Sequence, residues 1–569
     1  MTPFLQEPPT LPDAWSDDPI LREGLAWYLG DELFAAATPE LADLGAWSTD
    51  PETLRAALRA ESEPPELVPY STWGERTDEI RVSSAYVDLG KEGVRRGVVG
   101  LPYEAGPYGA KARVVWAALI HMWGPSSALY SCPIAMTDAA ARTLLMHGGP
   151  EDIAVVEHLI SRDPEHAWTS GQWMTETAGG SDVGRTGTVA RNENGAWRLF
   201  GTKWFTSATT SEMALTLARP EGAPDGSRGL ALFRIHRRLD NGMPNRIAVR
   251  RLKDKLGTRS LPTAELELDG SLAFPVGDVT DGGGLRRIAT MLNLTRLHNS
   301  IAASAAIARG LAWARAYARV REVFGKRLDQ HPAHRVTLGE MATDQAAALA
   351  LVLRGAELIG KTEHGTATEH EHAVVRGLTP VTKLATARWA VADAAEAMEA
   401  LGGVGYCEDS GLPALVRNAH VLPIWEGTTN VLALDLLRAA QRSDAIRALL
   451  TDAAETASAV AAVPAVERPA GEVLTAIGAL AQRIEAFHTD ETSAQAAARS
   501  IALSVANVYA CSLLCAQGAW ASARGSDQTA RFAHRFAERG LLAPPPPGNL
   551  DLAFGDAGAD TGTPPVDVS

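Results

Sequence analysis

The sequence predicts a mainly α protein with one β-domain inserted between helical regions. Three observations carry this. Long runs such as "AKARVVWAALIHMW" and "VTKLATARWAVADAAEAMEAL" repeat apolar residues at three- and four-residue spacing. From about 169 to 276 the chain changes to short alternating runs, "AWRLFGTKWFTS", "RGLALFRIH", "NRIAVRRL" and "TAELELDGSLAF", cut by Gly, Pro and Asp. At 569 residues it is also too long for one ordinary core, so several domains or layers are expected.

In order, 1–168 reads as an N-terminal helical domain after the Pro-rich lead-in "MTPFLQEPPTLPDAW". That lead-in has no basic stretch followed by an apolar core, so no signal peptide is expected. The β-domain follows over 169–283, closed by the "TDGGGLRR" loop. A helical bundle is expected over 284–440 and a further Ala-rich helical domain over 441–542. Residues 543–569, rich in Pro, Gly and Asp, have too little to bury to order as anything but an extended, disordered tail.

The net charge is −15 and the pI about 5.5, so bulk electrostatics oppose nucleic acid and anionic membrane. Four cysteines without a CxxC pair fit a reducing, cytoplasmic setting. The segment 500–523 is long enough to span a bilayer, but Ser500, Ser504, Asn507, Ser512 and Gln517 dilute it. A buried bundle helix is the better reading, and no membrane partner is expected. His364, His370 and His372, interleaved with Glu363, Glu369 and Glu371, match no zinc template, and no metal site is expected.

The stretch "MTETAGGSDV" (174–183) sits where helix gives way to strand. Gly179 and Gly180 permit a tight turn and close approach of a ligand, and Thr175 and Ser181 add hydroxyls. No GxxxxGK[ST] is present, which excludes a Walker loop; taken alone, the stretch is a capped Gly-Gly turn. Four other stretches stand beside it. In "GTKWFTSA", Trp204 and Thr206 are two apart, on one side of a strand. In "REVFGKRLDQHP", Arg321 and Phe324 have helical spacing before a Gly-containing break. "EALGGVGY" holds Gly402, Gly403 and Gly405, and "IWEGTTNV" places an acid between an indole and a Gly-Thr-Thr-Asn turn.

Together, in this order, these stretches resemble the acyl-CoA dehydrogenase family of flavoproteins: T-E-x-x-x-x-S-D, W-x-T, R-x-x-F-G, G-G-x-G and aromatic-E-G-T. "DKLGTRSLPTAEL" (254–266) is similar to the family's K-x-G-x-R stretch, and the resemblance covers about 80–440. The absent proline after Thr175-Glu176, Trp425 in place of tyrosine, Glu399 and the helical extension point to the alkylation-response, isovaleryl-CoA-dehydrogenase-like (AidB-type) branch.

The resemblance implies an N-terminal helical domain, a β-barrel-like middle domain and a C-terminal four-helix bundle, plus the extra helices. It implies FAD as cofactor. Met174 and Thr175 would approach the flavin edge, Gly180 would admit it, and Ser181 would reach the pyrophosphate. Trp204 and Thr206 would flank the ring, Thr206 near N5. Arg321, Phe324, Gly402 and Gly403 would meet the FAD of a neighbouring subunit, which implies a homo-oligomer, in the family a tetramer. Trp425 would wall the site, and Thr428 and Asn430 would lie beside the ribityl and adenosine part. Glu426 is the implied catalytic base and Arg296 the implied mouth of the substrate channel.

The implied reaction is α,β-dehydrogenation of an acyl-CoA thioester, with an electron-transfer flavoprotein as electron acceptor. An alternative is a stress-response flavoprotein that binds DNA or detoxifies alkylating agents. From 431 onward, however, ten Arg face fifteen Asp and Glu, so DNA is weakly supported as a partner, although Arg531, Arg535 and Arg539 share a helix face.

Overall fold

The computed structural model describes residues 8–486 and 490–548. The N-terminal part holds helices α1 (Pro19–Thr49, broken at Gly30), α2 (Pro51–Ser62), α3 (Ser84–Arg95), α4 (Ala112–Trp123), α5 (Ser131–His147) and α6 (Ile153–Leu159). Every residue of α4 is buried, which is why its sequence is apolar on all sides rather than striped.

Residues 66–81 depart from the helical expectation for this region. They form an antiparallel hairpin, β1 (Glu66–Tyr70) and β2 (Arg76–Arg81), whose Leu67 and Ile80 pack on the core of the β-domain. Its side chains are largely charged, so the alternation is faint in the sequence. Long-range bonds hold it: Asp78 Oδ2 accepts from Val249 N at 2.9 Å, and Arg76 Nη2 donates to Val249 O at 3.1 Å.

The β-domain contains β3 (Ser170–Gln172), β4 (Val189–Glu193), β5 (Ala196–Ser207), β6 (Met213–Pro220), β7 (Ala231–His236), β8 (Ile247–Leu252) and β9 (Thr263–Pro275). The order runs β3-β6-β4-β5-β9-β7, β8 adds to β9, and β6 also pairs with β7, so the sheet closes on itself. Closure pairs both edges of β4, β5, β6, β7 and β9, while β3 and β8 each pair on one side.

The chain then enters α7 (Gly284–Val320), a small hairpin of β10 (Glu322–Val323) and β11 (Lys326–Arg327), α8 (Pro332–Glu363) and α9 (Glu369–Ala400). The His- and Glu-rich stretch is the connection between α8 and α9; Thr368 and Glu371 form a capping box there. Helices α10 (Leu412–Ala419) and α11 (Thr429–Ser443) complete the bundle. The extension is α12 (Ala445–Val460), α13 (Glu467–Ala486), α14 (Glu491–Ser522) and α15 (Gln528–Glu538).

Helix α14 is long and apolar enough to cross a membrane, yet 83% of its most apolar window is buried inside the fold, against α8, α9, α11, α12, α13 and α15. The arginines of α15 are spent within the chain. Arg531 pairs with Asp527 at 2.6 Å inside the extension, while the pairs of Arg535 with Glu340 at 2.6 Å and of Arg539 with Asp344 at 2.5 Å tie the extension to α8. The expected tail begins in order: Ala543 O accepts from Arg483 and Ser500, and Ala543 N donates to Ser504. From 549 on it lies outside the described residues.

Candidate active site

Glu426 lies in the irregular turn between α10 and α11, with φ at +56°. A non-glycine residue in the left-handed region costs about 1–3 kcal/mol and persists only where its surroundings hold it. Those surroundings come from two long helices. Thr295 Oγ1 of α7 donates to Glu426 Oε2 at 2.7 Å, and Arg296 Nε points at the Glu426 carbonyl at 3.4 Å. Lys383 of α9 donates to the next carbonyl, Gly427 O, at 2.6 Å. Arg296 is itself fixed by Asp435 at 2.8 Å, which also binds Arg376 at 2.9 Å. Trp425 Nε1 donates to Asn299 Oδ1 at 2.9 Å, and Asn299 Nδ2 to Leu422 O at 3.0 Å.

Burial raises the Glu426 carboxyl above its ordinary value; the Thr295 hydrogen bond and the Arg296 and Lys383 charges hold it back. Burial likewise lowers the Lys383 ammonium to about 7 despite the nearby Glu426 carboxylate. The Gln172 amide, at the end of β3, also favours the Glu426 charge, while its Oε1 is buried without a partner. Among the described residues nothing accepts the Glu426 backbone N–H.

The 174–181 loop follows β3, the strand that carries Gln172. Its anchor is Glu176, whose carboxylate accepts from Lys203 Nζ at 2.7 Å, Gly187 N at 2.7 Å and Thr188 Oγ1 at 2.5 Å. Burial would raise Glu176; the Lys203 charge and these bonds outweigh it and lower the carboxyl. Thr175 O accepts from Trp204 N at 2.9 Å, which stitches the loop to β5. A Cβ on Gly180 would meet Thr175 Oγ1 at 2.8 Å, so a larger residue there would have to displace the threonine side chain. Met174 and Thr175 are half-buried; Gly180 and Ser181 are exposed.

Trp204 and Thr206 do not share a side of β5. The register shifts from Lys203 opposite Leu266 to Thr206 opposite Ala264, a bulge that puts Lys203 and Thr206 on one face. Trp204 and Phe205 turn to the other face, where Lys253 Nζ lies 3.7 Å and 4.8 Å from their ring centroids. Thr206 is fully buried and donates to Ala264 O at 2.7 Å.

Arg321 and Phe324 do not continue a helix either. Arg321 ends α7, and Phe324, at φ +49° and 96% exposed, is the tip of the β10–β11 hairpin. At 1.5 Å per residue, Arg321 is about 35–40 Å along α7 from Arg296, so within one chain it does not join the Glu426 site. Gly402 and Gly403 follow the end of α9, exposed, and a Cβ added at either would meet nothing within 4 Å; exposed Val404 and Tyr406 stand beside them. Thr428 caps the N-terminus of α11 without a side-chain bond, and Thr428 and Asn430 are exposed there. Arg296 is neither a channel mouth nor a surface arginine: its side chain is 11% exposed and braces the turn that carries Glu426.

Sequence reasoning missed Thr295, Lys383, Lys203 and Gln172. Lys383 and Lys203 lie within quoted runs, but their helical or strand spacing looks like packing.

Trp425 and Ala302 pack on the cluster that holds Leu422 and Ala306, and Trp425 also packs on the cluster holding Ala128. A cavity of about 150 Å³ is walled by Leu422, Ala128, Leu129, Ala302 and Ala306 and extends to Leu54, Leu58 and Trp313. Its walls are mostly apolar.

Four family models match the chain: "Adaptive response protein AidB N-terminal domain" over 7–163, "Acyl-CoA dehydrogenase, middle domain" over 171–271, "Acyl-CoA dehydrogenase, C-terminal domain" over 282–441 and "Acyl-CoA dehydrogenase 11 C-terminal domain-like" over 444–544. Acyl-CoA dehydrogenase family member 11 of Caenorhabditis elegans is 42% identical over 76% of this chain and 72% of its own length. Putative acyl-CoA dehydrogenase AidB of Escherichia coli is 34% identical over 76% and 78%. The crystal structure of C. elegans ACDH-11 in complex with C11-CoA is similar at a TM-score of 0.91 and 36% identity, over 96% of this chain and 94% of that one.

Proposed function

The chain belongs to the acyl-CoA dehydrogenase family, and from that premise we propose that Glu426 is the base that removes the α-proton of an acyl-CoA thioester. The protein is an FAD-dependent oxidoreductase of the AidB-like kind, acting on CH–CH donors. The observation that carries the assignment of the base is Glu426 itself, held at positive φ between two long helices with its carboxylate bonded by Thr295 Oγ1.

The residues present fit FAD. Gly402 and Gly403 leave open space for close approach, the N-terminus of α11 offers unpaired N–H groups with Thr428 and Asn430 beside it, and Gln172 Oε1 is an orphaned acceptor near the base. Met174, Thr175, Gly180, Ser181, Trp204 and Trp425 would hold the near half, with Thr206, fully buried and bonded to Ala264 O, bracing β5 behind them. When bound, FAD supplies the hydride acceptor.

The chain's own residues do the rest. Glu426 takes the proton at its carboxylate; burial makes it a stronger base than a solvated glutamate, and Thr295 keeps it ionised and aimed. The free Glu426 N–H is suited to polarise the thioester oxygen as negative charge develops. Trp425, fixed by Asn299, and the apolar cavity keep water away. The cavity accepts the acyl chain, and its length along α7, with C11-CoA bound by ACDH-11, supports an extended chain rather than a short one.

Arg321, Phe324, Gly402 and Gly403 belong, in this reading, to a second subunit's cofactor site, and the exposed Phe324, Val404 and Tyr406 support a homotetramer. Electrons pass to an electron-transfer flavoprotein. The four free thiols support a cytoplasmic setting. The reading does not extend to an alkylation response through DNA, because Arg535 and Arg539 are held by Glu340 and Asp344.

The test is anaerobic mixing of the holoenzyme with acyl-CoAs of graded length. Loss of the flavin's visible absorption with extended chains, abolished in Glu426→Gln, supports the reading. A flavin that no thioester reduces overturns it.

A further inference from the structure

The acyl cavity contains a cation with no carboxylate partner among the described residues. Arg309 of α7 lines it together with Ala302, Ala305 and Ala306. Among the described residues only Nη2 of its guanidinium finds partners, Ser48 O at 3.1 Å and Ser126 Oγ at 3.0 Å. Both acceptors are neutral, and Nε and Nη1 have no partner among the described residues. An arginine carries five N–H donors in a planar fork that matches a carboxylate. Burial alone pulls this guanidinium down to about 10, with no acid opposing it.

The acids nearby are engaged elsewhere. Glu61, on the same cavity, is bound by Arg417 at 3.2 Å. A smaller cavity of about 50 Å³ behind Arg309 is lined by Asp13, Asp17 and Asp18. There Asp18 Oδ1 caps α1 at Leu21 N and Oδ2 accepts from Gln345. Asp17 faces Arg319 at 3.6 Å, and Asp13 accepts from Trp15 N and Ser16 N. His121, between the two cavities, is held neutral at about 4, first by burial and then by Arg309 itself.

Position sets what could reach Arg309. The base is marked on α7 by Thr295, and Arg309 is about 20 Å farther along the helix axis. Arginine side chains lean toward the helix N-terminus, so the guanidinium lies somewhat short of that. A ligand chain that enters the cavity at Leu422 and follows α7 past Ala302 and Ala306 brings its far end to Arg309.

We propose that Arg309 forms a carboxylate subsite in the acyl cavity, so that the preferred ligand is an α,ω-dicarboxylic acyl thioester whose terminal carboxylate pairs with the guanidinium. The apolar walls take the methylene chain, and the terminal carboxylate supplies the half-buried guanidinium with the acid it lacks. The inference rests on the acyl-CoA reading of the Glu426 site.

The test is calorimetric binding to the holoenzyme of two matched series, monocarboxylic acyl-CoAs and α,ω-dicarboxylyl-CoAs of increasing length. The expected result is a length at which the dicarboxylyl thioester binds about tenfold more tightly than its monocarboxylic match. In Arg309→Gln that ratio should fall to about one or below, and Arg309→Lys should retain part of it. Should Arg309→Gln fail to fold, the length optimum in the native protein and the Arg309→Lys ratio still decide. Tighter binding of the monocarboxylic thioester at every length, a preference without a length optimum, or an unchanged ratio in Arg309→Gln overturns the subsite. Binding of neither series overturns the acyl-CoA reading and this inference with it; binding and flavin reduction by the monocarboxylic series alone overturns only this one.

Discussion

Thr295 Oγ1 donates a 2.7 Å hydrogen bond to Glu426 Oε2 across 131 positions of sequence. The bond is the largest of the influences that oppose the burial of the Glu426 carboxyl. It therefore sets how much of the base is ionised at neutral pH, as well as where it points.

Thr295→Val removes that donor and keeps the shape. The Glu426 carboxyl should rise further, and since the ionised form is the base, the acidic limb of the kcat/KM profile should move to higher pH. A fall of roughly tenfold at neutral pH is expected. A pH–rate profile checks it, and an unmoved limb would contradict the role.

Lys383 titrates near 7 in the fold against 10.5 when unperturbed. Between those values the unfolded chain holds a proton that the folded chain has lost. Stability should therefore rise with pH across that window, by up to about 1.4 kcal/mol per pH unit. Urea denaturation at pH 7 and pH 9 measures the slope, and Lys383→Met should flatten it.

Lys203 and Glu176 form a buried pair beneath the 174–181 loop. Lys203→Met leaves Glu176 uncompensated and should cost about 3–5 kcal/mol, with weaker flavin retention. The double variant Glu176→Gln, Lys203→Met should lose less than the single one, because no lone charge remains. Denaturation curves and flavin release on gel filtration distinguish the two.

Ala306 is a small residue on the wall of the acyl cavity. Ala306→Phe should block extended chains while leaving short ones room, lowering kcat/KM for long thioesters about a hundredfold relative to short ones. An equal loss across lengths would mean the chain takes another path.

The motif residues were legible because their chemistry is local: the Gly-Gly turn, the acid after Trp425 and the runs at helical period each declare themselves within ten residues. Local reading failed where a neighbour overrode it. The bulge in β5 separates Trp204 from Thr206, although two-residue spacing puts them together in a regular strand. Phe324 follows Arg321 at helical spacing, yet Phe324 and Gly325 adopt positive φ and turn a hairpin.

The sequence by itself determined the family and most element types, since hydrophobic period and turn chemistry act over a few residues. Only the tertiary structure decided that Arg296 braces Glu426, that Arg539 holds the extension to α8, and that Arg309 stands without a carboxylate in the acyl cavity. Those outcomes depend on which side chains packing brings within hydrogen-bond reach, and such pairs are separated by more than a hundred positions along the chain.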